Sequence, residues 1–341
     1  MERYKIGVVG LGFGRWLIEE EIIQGVGEPY FELAAVCDLD AELAEKVGKM
    51  FDAPYTTDMQ DLLDNEEIDL IVLLTGPNGR AKLIDQILDA GKAIMTTKPF
   101  ETDADEALRV LKRAEKMGIP LFSNSPPPVP ADDIACIHEW QEKYELGRLV
   151  AYEASNWASY REKPDGSWYD DPKLAPAAPL LRLGVYCMDD LTTFIPDDIK
   201  TMDVIQSRVF TKRPTADNAM MCMSHEDGTL GSIYASLAVG DAQPYQNLLQ
   251  LHFENGNVIR RLHSTPSMLG EYSIVSLSTE KDGHHFTEER TYNKHGYGYR
   301  WDWMHKVLSG ESLPENKTEP EDIARSIRLL ERMRKEAAPE D

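Results

Sequence analysis

Cysteine is scarce in this chain: Cys37, Cys136, Cys187 and Cys222 are four among 341 residues, far apart and with no C-x-x-C pair. That excludes a zinc ribbon and argues against a disulfide framework, so reduced, mostly buried thiols of a cytoplasmic protein are expected. Basic residues are in deficit too, 36 Lys and Arg against 59 Asp and Glu, for a formal net charge of −23. Such a chain repels phosphate backbones and anionic lipid, so neither nucleic acid nor membrane is expected as a partner. No apolar run approaches the roughly eighteen residues of a membrane span. Met1-Glu-Arg-Tyr-Lys-Ile-Gly passes directly into a strand pattern, so no signal peptide is expected. Histidine gives no metal set. His225, His252 and His263 are scattered at strand spacing, and His284-His285 reads as a polar turn, so no metal is expected.

What is present points to two domains. Hydrophobic residues make up 42%, enough for ordinary buried cores. Ile6–Val9, Leu33–Cys37, Leu70–Leu74, Ala93–Met95 and Leu121–Ser123 are short and apolar on both faces, the pattern of buried parallel strands. Helical stripes lie between them: Leu43, Val47 and Met50 behind Asp40 as N-cap; Leu83, Ile84, Ile87 and Leu88; and Leu108 and Leu111, opened by Asp103 with Glu106 at capping-box spacing. Alternation of this kind predicts a doubly wound parallel sheet.

The first strand-to-helix turn reads Gly10-Leu-Gly12-Phe13-Gly14-Arg15. Free N–H groups at a helix start attract a pyrophosphate, Gly10 permits a tight turn, and Gly12 admits close approach of phosphate. Arg15 holds the third glycine slot of G-x-G-x-x-G, and Gly14 fills that role if the loop is one residue shorter. Asp38 ends the second strand near the spacing of the acid that binds adenosine ribose hydroxyls. A carboxylate there repels a 2′-phosphate and Leu39 offers no compensating cation, so NAD is favoured, with NADP left open by Arg15. The alternative for Asp38 is a cap on the following turn.

Two further segments, Thr75-Gly-Pro77-Asn78 and Thr97-Lys98-Pro99, follow the third and fourth of these strands. Later, Trp168-Tyr169-Asp-Asp-Pro172 leads to Leu181-Arg182-Leu-Gly184-Val-Tyr186-Cys-Met-Asp189. Over nearly its whole length the chain resembles the Gfo/Idh/MocA oxidoreductases, Thr97-Lys98-Pro99 standing where their E-K-P signature stands and Tyr186 where many have His. The resemblance implies an NAD(P)-dependent oxidoreductase acting on a sugar, polyol or related alcohol. It places Lys98 near nicotinamide and substrate, makes Tyr186 the acid–base, and puts Asp189 at a family site position, with Asp190 solvated. Thr75, Pro77, Asn78, Thr97 and Asn124 join the glycine turn as expected cofactor contacts. It also implies a homodimer or homotetramer paired through the C-terminal sheet.

This chain departs from the family pattern. Thr97 replaces Glu, Arg182 replaces Asp, Ala177-Ala-Pro179 replaces a glycine run, and Ser125-Pro-Pro-Pro128 replaces a stretch that often carries arginine. These departures keep a second function open, a dinucleotide-binding sensor or partner subunit without turnover, and a third, an enzyme that recycles tightly held NAD. A phenol with a reference pKa of about 10 needs a cation to act as a base near neutrality. If Leu180–Phe194 is one helix, Arg182 and Tyr186 share a face. Arg182 then stabilises a tyrosinate or clamps a substrate anion; otherwise it points to solvent.

The expected architecture is an N-terminal Rossmann domain, residues 1–124, followed over 125–341 by an α+β domain with a large, mostly antiparallel open sheet. A helix is predicted at Ile134–Tyr144. Strands are predicted at Leu149–Trp157, Lys200–Phe210, Ala219–His225, Leu230–Val239, Leu248–Phe253 and Ser273–Ser278. Thr318 to Glu321 opens a terminal helix over about 320–335. Met220, Met221 and Met223 read as packing residues. The long connection Ser155–Pro179 carries Trp157, Trp168 and Tyr169, flat rings suited to stacking on substrate or to anchoring the loop. Arg161 and Lys163 in it meet an anion or water.

Overall fold

Strands that are apolar on both faces need cover on both, and in the first part of the chain helices provide it. The computed structural model describes residues 3–240, 245–264, 271–294, 299–312 and 317–337. Six strands, β1 (Tyr4–Val9), β2 (Phe31–Cys37), β3 (Tyr55–Thr56), β4 (Leu70–Leu73), β5 (Ala93–Thr96) and β6 (Leu121–Ser123), form one sheet in the order β3-β2-β1-β4-β5-β6. All its pairings are parallel. The order reverses direction between β1 and β4, and the crevice at the carboxyl ends of such strands is where open α/β sheets take ligands.

The connecting helices are α1 (Leu11–Leu17), α2 (Ala41–Phe51), α3 (Met59–Leu63), α4 (Arg80–Asp89) and α5 (Ala104–Met117); α1 runs on into a π-helical turn, Ile18–Ile23. The expected caps form. Asp40 accepts from the N–H groups of Glu42 and Leu43, and Asp103 from those of Asp105 and Glu106. The Glu106 carboxylate bonds Arg109.

The chain divides into two compact units, Met1–Val129 with Tyr299–Pro320, and Pro130–Gly298 with Glu321–Asp341. The return of Tyr299–Pro320 to the first unit was not read from the sequence. Its helix α8 (Trp301–Leu308) buries Trp301 beside Phe31, ring centroids 5.2 Å apart, and the indole N–H donates to Glu21 at 2.9 Å. Thr318, expected as a helix cap, donates its hydroxyl to the Pro127 carbonyl at 2.5 Å.

The second unit holds α6 (Asp132–Lys143), β7 (Leu149–Trp157), a π-helical turn Leu180–Gly184, α7 (Val185–Leu191), and β8 (Ile199–Ser207), β9 (Asn218–His225), β10 (Leu230–Ser236), β11 (Gln246–Phe253), β12 (Gly256–Ser264), β13 (Glu271–Lys281) and β14 (His284–Lys294). The terminal helix is α9 (Pro320–Ala337). The eight strands run β14-β13-β12-β11-β7-β10-β9-β8. Only β7 and β10 pair in parallel. Alternate residues go inward: Met221 and Met223 are buried, whereas Met220 faces out. Close packing uses a missing side chain at Gly231, where a Cβ would come within 1.9 Å of the Tyr152 ring.

Three expectations about this sheet are corrected. His284 and His285 begin β14, paired with Lys281 and Glu280, rather than forming a turn. β12 and β14 went unread because charged residues break their apolar alternation. The strands expected to reach Phe210 and Val239 stop at Ser207 and Ser236.

Candidate functional site

In the first unit, the turn between β1 and α1 is shaped by three glycines with three different reasons. Gly10 has φ 91°, which L side chains rarely adopt, and a Cβ there would lie 2.8 Å from the Leu74 carbonyl carbon. Its N–H donates to the Cys37 carbonyl at 2.9 Å, while the Leu74 N–H donates to the Val9 carbonyl at 2.7 Å. The turn is thus pinned to the ends of β2 and β4. A Cβ on Gly14 would meet Val8 Cγ1 at 3.1 Å, so Gly14 does the work of the third glycine by letting the helix lie on the strand. Arg15 is exposed one position later. A Cβ on Gly12 would meet nothing within 4 Å. That side is open, as a cradle for a pyrophosphate must be.

Asp38 stands at the end of β2. One carboxylate oxygen accepts from the Leu11 N–H at 2.7 Å and the other from the Asp40 N–H at 3.0 Å. Asp38 thus caps the following turn, and each oxygen retains a second lone pair at the rim of the glycine turn. Leu39 beside it is 93% exposed. Phe13 and Trp16 stack on α1, centroids 5.3 Å apart, with both rings exposed.

The loops after β4 and β5 are tied together by a residue that sequence reasoning missed. Arg80, 1% exposed, donates to the carbonyls of Thr97 (2.6 Å), Pro99 (2.5 Å) and Phe100 (3.0 Å), and also to that of Thr75. Glu101, also buried, accepts from the N–H groups of Gly79, Ala81 and Thr102 and so caps α4. Thr75, Pro77 and Asn78 lie on one of these loops, with Asn78 exposed. Thr97 and Lys98 lie on the other. The Lys98 backbone N–H donates to Asn124 Oδ1 at 3.1 Å, and Lys98 itself is half-buried. Thr97 accepts from the phenol of Tyr299 at 3.3 Å, whose pKa is pushed up by burial. No local motif marks Arg80, because its acceptors are backbone carbonyls far from it in sequence.

In the second unit, Tyr186 sits in the first turn of α7, half-buried, with its ring edge-to-face to Tyr245 at 6.1 Å. Tyr245 accepts a bond from Asn156 Nδ2 at 2.5 Å, and the same amide donates to the Leu183 carbonyl at 3.0 Å. The continuous helix expected over Leu180–Phe194 is not what forms. The π-helical turn precedes α7, and its wider winding breaks the four-residue register assumed for Arg182 and Tyr186. Gly184 is needed there, since a Cβ would meet Leu180 Cδ2 at 2.8 Å.

Arg182 does not point to solvent. Its guanidinium forks onto Glu162, Nη2 to Oε1 at 2.7 Å and Nη1 to the other oxygen. It lies over the rings of Tyr160 (4.5 Å) and Tyr169 (5.3 Å). Burial works against its charge, but Glu162 outweighs burial and holds the pKa above the ordinary arginine value. Trp168 and Tyr169 stack at 3.8 Å; Trp157 is half-buried at the end of β7. Arg161 is committed to the Ala238 carbonyl and the Phe210 ring; Lys163 is exposed.

Asp189 is buried, 8% exposed. Asp190, expected in solvent, pairs instead with the fully buried Arg260, which also faces Asp133 at 3.8 Å. Arg260 belongs to β12, a strand the sequence did not reveal, so no partner for Asp190 was foreseen. Among the described residues, no group of three or more His, Cys, Asp or Glu is placed to hold a metal ion, and no helix is long and apolar enough to cross a membrane.

A parallel sheet in this order, a glycine turn at its switch point and a carboxylate at the end of β2 define a Rossmann-type dinucleotide-binding protein. Residues 4–125 match the family described as "Oxidoreductase family, NAD-binding Rossmann fold", and residues 134–259 match the GFO/IDH/MocA C-terminal domain. The chain belongs to this Gfo/Idh/MocA family, and its first unit is an NAD-binding domain. It is 24% identical over 256 residues to D-apiose dehydrogenase of Paraburkholderia graminis, which covers 71% of this chain and 63% of that protein, less than two thirds of the relative's length. Its fold is shared by the WlbA dehydrogenase from Bordetella pertussis in complex with NADH and UDP-GlcNAcA, at TM-score 0.68, 16% identity, and coverage of 98% of this chain and 97% of that one. It is shared equally by a 3-ketoreductase from Actinomadura kijaniata in complex with NADP, at TM-score 0.66, 18% identity, 98% and 97%.

Proposed function

We propose that this chain is an NAD-dependent oxidoreductase that moves a hydride between the nicotinamide and a CH–OH group of a sugar, polyol or related alcohol. The observation that carries the reading is the glycine turn at the switch point, closed by packing at Gly10 and Gly14 and open at Gly12. The first unit takes the dinucleotide and the second takes the substrate. Nicotinamide, when bound, supplies or accepts the hydride; the protein supplies orientation and a place for the proton.

Lys98 and Tyr186 are our candidates for the reacting centre. Lys98 stands at the carboxyl end of a parallel strand, with its backbone held by Asn124. Tyr186 is held against Tyr245 by a buried amide network. As the proton acceptor, its phenol takes the substrate hydroxyl proton during oxidation and returns it during reduction. A cation near a phenol lowers the cost of its phenolate, and that is the role we assign to Lys98. Asp38 favours NAD over NADP, because a 2′-phosphate beside its carboxylate meets like charge. We place the protein in the cytoplasm, where its free thiols stay reduced. We also assign its homo-oligomeric contact to the outer face of the large sheet, where Met220 is 38% and Tyr272 39% exposed.

Gly12→Val tests the cradle. With nothing within 4 Å of the added carbon, the urea unfolding midpoint stays close to that of the parent. NADH affinity, read by fluorescence titration, weakens by about 1–3 kcal/mol from overpacking against the pyrophosphate. Unchanged affinity would remove the turn from the site. Turnover is tested by single-turnover absorbance of bound NAD against sugars and polyols. Cofactor binding with no reduction by any of them would replace the enzyme by a sensor. Asp38→Ser raises NADPH affinity relative to NADH in the same titration; an unchanged ratio takes Asp38 out of cofactor choice.

A further inference from the structure

We propose that the substrate is uncharged where it meets the second unit, and that the Arg182–Glu162 pair is the device that selects it. The inference rests on the reading of this protein as a sugar or polyol oxidoreductase and narrows the substrate class within that reading.

An arginine fork near a candidate substrate loop ordinarily suggests recognition of an anion. Here the fork is already met by a carboxylate of the chain. Glu162 takes both terminal nitrogens of Arg182, and Arg213 reaches Oε2 of the same carboxylate at 3.5 Å. Arg213 is only 5% exposed and gathers two further acids, Asp165 at 3.1 Å and Asp170 at 2.7 Å. Asp170 in turn accepts from the N–H groups of Asp165 and Gly166. Within this ion-paired cluster two guanidiniums face three carboxylates. A sugar acid entering here has to displace an internal carboxylate present at high effective concentration.

A neutral polyhydroxy compound fits the same groups without displacing any of them. Arg182 and Glu162 keep 22% and 35% side-chain exposure, enough to be touched. Vicinal hydroxyls can donate to the remaining carboxylate lone pairs and accept from guanidinium N–H groups. Beside the pair, Arg182 covers the rings of Tyr160 and Tyr169, and the half-buried Trp168 stacks on Tyr169. Arg213 is a positioning residue in this account: it touches no substrate and keeps Glu162 under Arg182.

The test compares glucose and xylose with glucuronate and galacturonate, using thermal shift in the presence of saturating NAD and, for any sugar that turns over, kcat/KM. Parent protein is expected to be stabilised by the neutral sugars and not by the uronates, with at least a tenfold gap in kcat/KM. Glu162→Gln keeps the shape but leaves Arg182 uncompensated, so the gap narrows or reverses, mainly through KM, while NADH affinity holds. Arg213→Lys, which keeps the charge, retains the neutral preference. A parent protein stabilised more by the uronates overturns the proposal, and so does a gap that Glu162→Gln leaves unmoved. Binding of NADH with stabilisation by neither class also overturns it, by taking these residues out of a carbohydrate site. Failure to bind NADH at all is a different result and sinks the parent reading instead.

Discussion

Tyr186→Phe is expected to reduce kcat by about 10²–10⁴, the usual contribution of a positioned proton-transfer group, with NADH affinity unchanged. The substitution removes one oxygen and leaves the ring, so the edge-to-face contact with Tyr245 at 6.1 Å survives. Behind it, Asn156 still donates to Tyr245 and to the Leu183 carbonyl. Loss of rate with an unchanged melting temperature would report chemistry rather than packing. Lys98→Met should move in the same direction, and in the oxidation direction the rising limb of its pH–rate profile, set by ionisation of the phenol, should shift to higher pH. A Tyr186→Phe protein that retains full single-turnover reduction of NAD would pass the proton-acceptor role to another group.

The sequence made the first unit readable because its strands are apolar on both faces and its caps are local. Asp40 and Asp103 act within three residues of themselves, and Gly10, Gly12 and Gly14 act within one turn. The site in the second unit was harder to read because its determinants are distant partners. Arg182 could be read as a phenolate stabiliser, an anion clamp or a solvated residue, but its carboxylate partner lies twenty positions away in an irregular loop. The π-helical turn before α7 also removed the periodicity on which the Arg182–Tyr186 argument relied. Asp190 and Arg260 are seventy positions apart, joined by a strand whose charged residues hide its alternation. The return of Trp301 to the first core had no local signal, since an aromatic helix of that length suits either unit.

Arg80→Met is expected to cost several kcal/mol of stability, because a buried acceptor left without its donor costs about 1–3 kcal/mol. The guanidinium is 1% exposed and serves four backbone carbonyls on two loops. A methionine fills much of the volume, so the loss comes from abandoned acceptors rather than from a cavity. The loss should not stop at stability. Thr75 on one loop and Thr97 and Lys98 on the other are held in mutual register by these bonds, and a displacement of about 1 Å at a reacting group costs about 10²-fold in rate. Arg80→Lys, with one ammonium in place of a planar fork, should recover part of the unfolding free energy but little of the rate, because a point charge cannot span both loops. Urea denaturation gives the first quantity and single-turnover reduction the second. A methionine variant with an unaltered urea midpoint would mean that the four carbonyls find water at no cost, and the two loops would then have to be ordered by Glu101 and Asn124 alone.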